Sequence, residues 1–99
     1  MNKKIITLNG KEYEINTNID FGSIVEMEEY GVDLMSLGQQ KQTFTQIRNI
    51  TAYFLKLDLD EASREISEHL KNGGKLDFVA DLFGVIANSD FFQQAVAQK

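Results

Sequence analysis

Near its start the chain reads Lys4-Ile5-Ile6-Thr7-Leu8-Asn9-Gly10-Lys11-Glu12-Tyr13-Glu14-Ile15, and this stretch has the pattern of a β-hairpin. Asn-Gly between alternating residues favours a two-residue type I′ turn, because both central positions of that turn need a positive φ. Pairing outward from the turn places a largely apolar set on one face: Leu8 opposite Lys11, Ile6 opposite Tyr13, and Lys4 opposite Ile15. The turn and the burial pattern predict the same register. We therefore predict a hairpin over residues 3–16, which must pack on helices because an isolated hairpin is marginally stable.

Apolar residues recur at helical spacing through the rest of the chain. They predict helices over about residues 21–30, 44–56, 59–72, 76–87 and 91–98, one helical turn over 32–37, and a surface loop over 38–42. Asp58 and Glu61 have the spacing of a capping box at the start of the 59–72 helix. The expected fold class is α+β, with an N-terminal β-hairpin packed on a cluster of four to five α-helices in a single domain, 1–99.

The helical stripes also predict the core. Phe44 starts the stripe of the 44–56 helix. The residues of the 59–72 helix expected to face inward are Leu59, Ala62, Ile66 and Leu70. Those of the 76–87 helix are Leu76, Val79, Leu82, Phe83 and Ile86.

Some apolar residues of the C-terminal half fall outside these stripes, namely Phe78, Val85, Phe91 and Phe92. Two interpretations stay open for them: they complete the core, or they form an exposed patch that binds a partner. The Phe91-Phe92 pair favours binding, because it follows a break in the helical pattern near the end of the sequence. We take all of these residues as the predicted partner-binding set.

Composition and charge exclude several classes of function. The sequence has 99 residues, no cysteine and one histidine, so it offers neither a thiolate nor a multi-histidine metal site. Its net charge of −5 argues against binding nucleic acid. No apolar run reaches the roughly 18–20 residues that span a bilayer, and the N-terminus does not have the pattern of a signal peptide. We expect no cofactor, no metal and no membrane or nucleic-acid partner.

Catalytic motifs are also missing from the sequence. It contains neither G-x-x-x-x-G-K-[ST] nor G-x-G-x-x-G, so no phosphate-binding loop is predicted. His69 falls in the last turn of the 59–72 helix, where a favourable interaction with the helix dipole is the simpler role. We interpret the acidic cluster as a solvated helix face in preference to a docking patch; its members are Asp20, Glu26, Glu28 and Glu29. The sequence predicts a protein-binding domain and not an enzyme.

The order of these elements resembles a known family. The matching stretches are the hairpin over 7–15, the acidic helix over 24–34, the helix start over 44–50, the Leu59-Asp60-Glu61-Ala62 start and the Gly73-Gly74 break. Together they cover nearly the whole chain, and they resemble the tail assembly chaperones of long-tailed bacteriophages and prophages of Gram-positive hosts.

The resemblance implies a non-enzymatic role in the host cytoplasm. Such chaperones bind the tape measure protein, recruit tail tube subunits and are generally absent from the finished virion; many also have a longer, frameshifted form. The family offers no motif of functional residues to carry over, and self-association is left open. The main alternative is a small structural tail or head–tail component retained in the virion, and a third is an acidic regulator that occupies a nucleic-acid-binding protein.

The predicted turn needs its glycine. Gly10→Val places a β-branched side chain at a positive φ, which is strongly disfavoured. We expect the free energy of unfolding to fall by about 1–3 kcal/mol, as measured by thermal or urea denaturation. An unchanged melting temperature would show that the turn is not type I′.

Overall fold

The computed structural model describes residues 3–32 and 44–89. Along these residues it has two strands and four helices: β1 (Lys3–Leu8), β2 (Lys11–Asn16), α1 (Phe21–Glu29), α2 (Phe44–Leu55), α3 (Leu59–Lys71) and α4 (Asp77–Ala87). This arrangement confirms the predicted α+β class. The loop predicted over 38–42 and the helix over 91–98 lie outside the described residues, as does the helical turn predicted over 32–37 apart from its first residue, Val32.

The hairpin has the predicted register. β1 and β2 are antiparallel, and their partners are Leu8 with Lys11, Ile6 with Tyr13 and Lys4 with Ile15. Asn9 has a φ of 55° and Gly10 a φ of 76°, the left-handed values that a type I′ turn requires. The face toward the helices buries Ile6, Leu8 and Ile15 almost completely.

The core lies between the hairpin and the helices, with α2 at its centre. This helix contacts β2, α1, α3 and α4. It buries Ile50, Thr51 and Phe54, and the hydroxyl of Thr51 donates to the Ile47 carbonyl at 2.8 Å, so this polar group is satisfied inside the core. Leu82 and Ile86 of α4 complete the same cluster.

Side-chain caps fix the starts of two helices. Glu61 N–H donates to the Asp58 carboxylate at 2.7 Å, and Asp58 N–H donates to the Glu61 carboxylate at 3.3 Å, which confirms the predicted capping box. Asp20 caps α1 by accepting from Ser23 N–H at 2.9 Å. That hydrogen bond holds the pKa of Asp20 below its usual value.

The predicted inward face of α3 is wrong at both ends. Ala62 is fully buried and Ile66 is half-buried, but Leu59 is 36% exposed and Leu70 is 43% exposed. Phe44, the first residue of the α2 stripe, is 80% exposed. The reason is geometric: a helix at the edge of a small core buries only the turns that face a neighbour, and the stripe continues beyond them.

A polar network attaches the hairpin turn to the end of α3. His69 Nδ1 accepts a hydrogen bond from Asn9 N–H at 2.9 Å, and Nε2 lies 2.9 Å from the Lys75 carbonyl oxygen. Because Nδ1 accepts, Nε2 carries the proton and donates to Lys75; this tautomer is assigned from the hydrogen bonds. The ring of His69 therefore bridges the turn and the α3–α4 connection.

Glu65 supports the same attachment. Its carboxylate accepts from Lys11 Nζ at 3.0 Å and from Asn9 Nδ2 at 3.3 Å. These two interactions, with the Lys11 hydrogen bond the larger cause, lower the pKa of the Glu65 carboxyl. Asn72 Nδ2 also donates to Asn9 Oδ1 at 3.3 Å, so the turn is held by side chains from the last two turns of α3 and from its C-cap.

Gly74→Ala tests the His69 bridge. A Cβ at Gly74 would lie 2.4 Å from His69 Nε2, so the ring would have to leave its hydrogen bonds. We expect a loss of about 1–3 kcal/mol in the free energy of unfolding, measured in urea. Gly84→Ala is the matched control: it lies inside α4 with nothing within 4 Å of its Cβ, and it should gain about 0.5–1 kcal/mol. Equal stability of the two variants would contradict the bridge.

Glu65→Gln tests the electrostatic part of the attachment. A carboxyl whose folded pKa is lowered contributes stability above its unfolded pKa, and this contribution is lost as the pH falls through the folded pKa. We expect the variant to melt below the wild type at pH 7, and the difference in melting temperature to shrink between about pH 5 and about pH 3. A difference that is the same at pH 7 and pH 3 would show that Glu65 acts through packing alone.

Candidate protein-binding groove

An open apolar groove runs between the first turns of α2 and the middle of α3. Its volume is about 300 Å³, and the residues that line it are Phe44, Thr45, Ile47, Arg48, Ser63, Ile66, Ser67, Leu70 and Leu76. We call this feature the α2–α3 groove. The lining comes from two helices and from the residue just before α4, so the packing of the helices defines its shape.

The floor and walls of the α2–α3 groove are apolar. Ile47 is 9% exposed and joins the groove to the core, while Ile66 and Leu76 are half-buried beside it. Phe44 and Leu70 lie at its sides with 80% and 43% of their surface exposed. Two large apolar side chains so exposed beside a hydrophobic floor are typical of a protein-interaction surface and not of scattered surface residues.

The edge of the groove is polar and contains no carboxylate among its described lining residues. Thr45, Ser63 and Ser67 supply hydroxyl groups, and Arg48 supplies a guanidinium. Arg48 Nε donates to Asn49 Oδ1 at 3.0 Å, and the Asn49 amide donates to the Gly31 carbonyl at 3.0 Å. Asn49 is only 4% exposed, so this relay of hydrogen bonds from Arg48 through Asn49 to Gly31 fixes the position of Arg48 Nε.

Gly31 is needed at the other end of this relay. Its φ is 88°, and a Cβ at this position would lie 2.7 Å from Asn49 Nδ2. Gln46 Nε2 donates to the same carbonyl at 2.9 Å. The end of α1 and the first half of α2 are therefore joined by side-chain hydrogen bonds to one backbone carbonyl.

The structure separates the residues of the predicted partner-binding set. Phe78 is 5% exposed and packs edge-to-face on His69 with ring centroids 5.5 Å apart, so in this chain it is a core residue. Val85 is half-buried and lines a shallow depression beside Lys4 and Asp81. Phe91 and Phe92 lie outside the described residues. For Phe78 the core interpretation is correct, because α4 packs against both α2 and β1.

Sequence reasoning missed the α2–α3 groove, although it named its main residues. Phe44, Ile66 and Leu70 were all predicted to lie on buried stripes. The signal that distinguishes them is position: Phe44 begins α2 and Leu70 lies in the last turn of α3, where a neighbouring helix no longer covers the stripe. Periodicity alone does not show at which residue a neighbouring helix stops covering the apolar stripe.

The acidic helix has a structural role and an open surface. Asp20 is the α1 cap, while Glu26, Glu28 and Glu29 are exposed. Val25, 39% exposed, lies on the same helix. An acidic, exposed helix is what the solvated-face interpretation predicts, and none of the described residues indicates a ligand site on it.

Two broader findings concern chemistry that the described residues do not offer. Across 3–32 and 44–89, no cluster of three or more histidine, cysteine, aspartate or glutamate residues is placed to hold a metal ion. In the same part of the chain, no helix has both the length and the apolar character to cross a membrane.

Comparisons of the chain with protein-family models, curated proteins and solved structures find no match. Function is therefore inferred from the geometry of the α2–α3 groove and from the family resemblance of the sequence.

Proposed function

We propose that the protein is a tail assembly chaperone of long-tailed phages, as its sequence resembles, and that it holds an apolar helical segment of the tape measure protein in the α2–α3 groove. The observation that carries the proposal is Phe44, which is 80% exposed beside a floor formed by Ile47 and Ile66. Leaving a phenylalanine in water is unfavourable by roughly 1.5–3 kcal/mol relative to burying it. A partner that covers Phe44 recovers this energy.

The shape of the groove favours a helix as the occupant. It lies between two helices and is open to solvent, and its apolar residues come from α2, α3 and the start of α4. An amphipathic helix binds such a groove with anchor residues spaced i, i+3 or i+4, and i+7. A tape measure protein is a long helical protein with apolar stripes that need cover before the tail assembles, so it fits this description.

The lining of the groove supports binding in preference to catalysis. The described lining residues offer hydroxyls and one guanidinium, but no carboxylate, imidazole or thiol. General acid–base catalysis requires such a titratable group within hydrogen-bond reach of a substrate. We therefore propose a non-enzymatic protein that acts in the host cytoplasm, recruits tail tube subunits while the tape measure protein is bound, and leaves before the virion is complete.

The α2–α3 groove is tested by Phe44→Ser. Because Phe44 is mostly exposed, the substitution should leave the folded state within about 0.5 kcal/mol of the wild type. Truncation of a central aromatic anchor typically costs about 2 kcal/mol of binding, which is roughly a thirtyfold loss of affinity. The measurement is co-expression and pull-down with the tape measure protein, followed by titration of the purified pair.

Phe21→Ser is the matched control for that experiment. Phe21 is also the first residue of a helix and is 66% exposed, but it does not line the groove. We expect it to bind the tape measure protein at wild-type strength, with circular dichroism showing that both variants are folded. Equal loss of binding in the two variants would place the interaction elsewhere and contradict the groove assignment.

A structural component retained in the particle is the alternative function. The two are separated by mass spectrometry of purified virions from a host that expresses the gene. The chaperone proposal expects the protein in the lysate and not in the particle. A fixed number of copies per virion would overturn it in favour of the structural alternative.

A further inference from the structure

From the charges around the α2–α3 groove, we infer that its occupant is an amphipathic helix with acidic residues along the edge of its apolar stripe. This inference rests on the proposed function and adds the chemistry of the partner. The chain carries a net charge of −5, but the charged residue that lines the groove is Arg48, a cation.

Arg48 is held in a position to meet an incoming carboxylate. Its Nε donates to Asn49 Oδ1 at 3.0 Å, and Asn49 is itself buried and fixed to the Gly31 carbonyl. Within the described residues no carboxylate lies within 4.0 Å of the guanidinium, and Arg48 as a residue is half-buried beside the apolar floor. A guanidinium that is already ordered and partly removed from water loses little entropy when it binds a carboxylate, so its terminal N–H groups are suited to that contact.

Two further cations lie on α3 near the groove, outside its lining. Arg64 lies three residues before the groove residue Ser67, and Lys71 lies four residues after it. Residues at these spacings share one side of a helix. Both are exposed, and neither forms an ion pair with another described residue.

The distribution of the other described charges sets Arg48 apart. The hairpin lysines are each paired with an acid: Lys3 with Glu14, Lys4 with Asp81 and Lys11 with Glu65. The acids of α1 lie on a different helix, and α1 contributes no residue to the groove lining. On α3 the acids Asp60, Glu61 and Glu68 each lie three or four residues from Arg64, so this helix adds no surplus of positive charge and Arg48 is the charge that the groove itself presents.

Opposite charge at the edge gives the groove its selectivity. A helix with glutamates beside its apolar stripe places a carboxylate next to Arg48, whereas a helix with lysines there is repelled by Arg48 at short range. Charges at the edge of an interface chiefly change specificity and the association rate, and their effect falls as salt increases. The apolar floor supplies affinity for either helix, and Arg48 decides between them.

The test uses two synthetic amphipathic peptides that share one apolar stripe and carry either glutamate or lysine at the flanking positions. Each is titrated against the full chain by fluorescence anisotropy at low and at high salt. We expect the glutamate peptide to bind about tenfold more tightly at low salt, and we expect the preference to shrink at high salt. Equal affinity, or tighter binding of the lysine peptide as the net charge alone would favour, overturns the inference.

Arg48→Gln shows whether the preference comes from the groove. It removes the charge while keeping an amide that can still bond to Asn49, and it should reduce the preference for the glutamate peptide severalfold. Lys56→Gln removes the same charge at the exposed C-terminal end of α2, outside the groove lining, and should leave the preference unchanged. If both variants change the preference equally, the selectivity reflects overall charge and the inference fails.

Phe44→Ser distinguishes this failure from failure of the proposed function. If both peptides bind equally well and both lose affinity in Phe44→Ser, the groove is a binding site without charge preference, and only the inference is overturned. If neither peptide binds, or if Phe44→Ser leaves binding unchanged, the groove assignment itself is overturned together with the inference.

Discussion

The attachment of the hairpin turn to the end of α3 is the interaction on which the rest of the structure depends. Two strands alone are only marginally stable in water, so Ile6, Leu8 and Ile15 stabilise the fold only when helices cover them. The hydrogen bond from Asn9 N–H to His69 Nδ1 joins residues 60 positions apart and sets where the hairpin sits on the helices. The side chain of Glu65 adds an ion pair and a second bond to the same turn.

As a consequence, the hairpin covers the helices unevenly. The hairpin lies over α2 and over parts of α3 and α4, so Ile50 and Leu82 are completely buried. The ends of the helical stripes that extend past this cover stay open, and Phe44 and Leu70 form the sides of a groove there. One arrangement therefore produces both a stable core and an exposed apolar surface, and the proposed binding function uses the part of each stripe that the core leaves unused.

Local chemistry made much of the fold predictable. The Asn9-Gly10 turn needs positive φ at both residues, and the Asp58–Glu61 capping box needs two side chains at fixed spacing, so each is determined by a few neighbouring residues. The burial of Phe78 and the exposure of Leu70 were not predictable in the same way. Both residues are apolar and both lie on helices, and the difference between them is which other element passes over each one. That information lies in the tertiary arrangement, and so does the fixed guanidinium of Arg48, whose support comes from Gly31 far earlier in the chain.

The early position of the hairpin has a consequence for synthesis on the ribosome. β1 and β2 end by residue 16, but β1 is covered by α3 and α4, and α4 ends at residue 87. At roughly 5–20 residues per second, several seconds of translation separate the two. During this interval the nascent chain carries an apolar strand pair without its cover, and the hairpin cannot be the stable nucleus on which later segments assemble. Folding of this protein is therefore expected to begin with α2, α3 and α4, and the hairpin is expected to reach its final place after them.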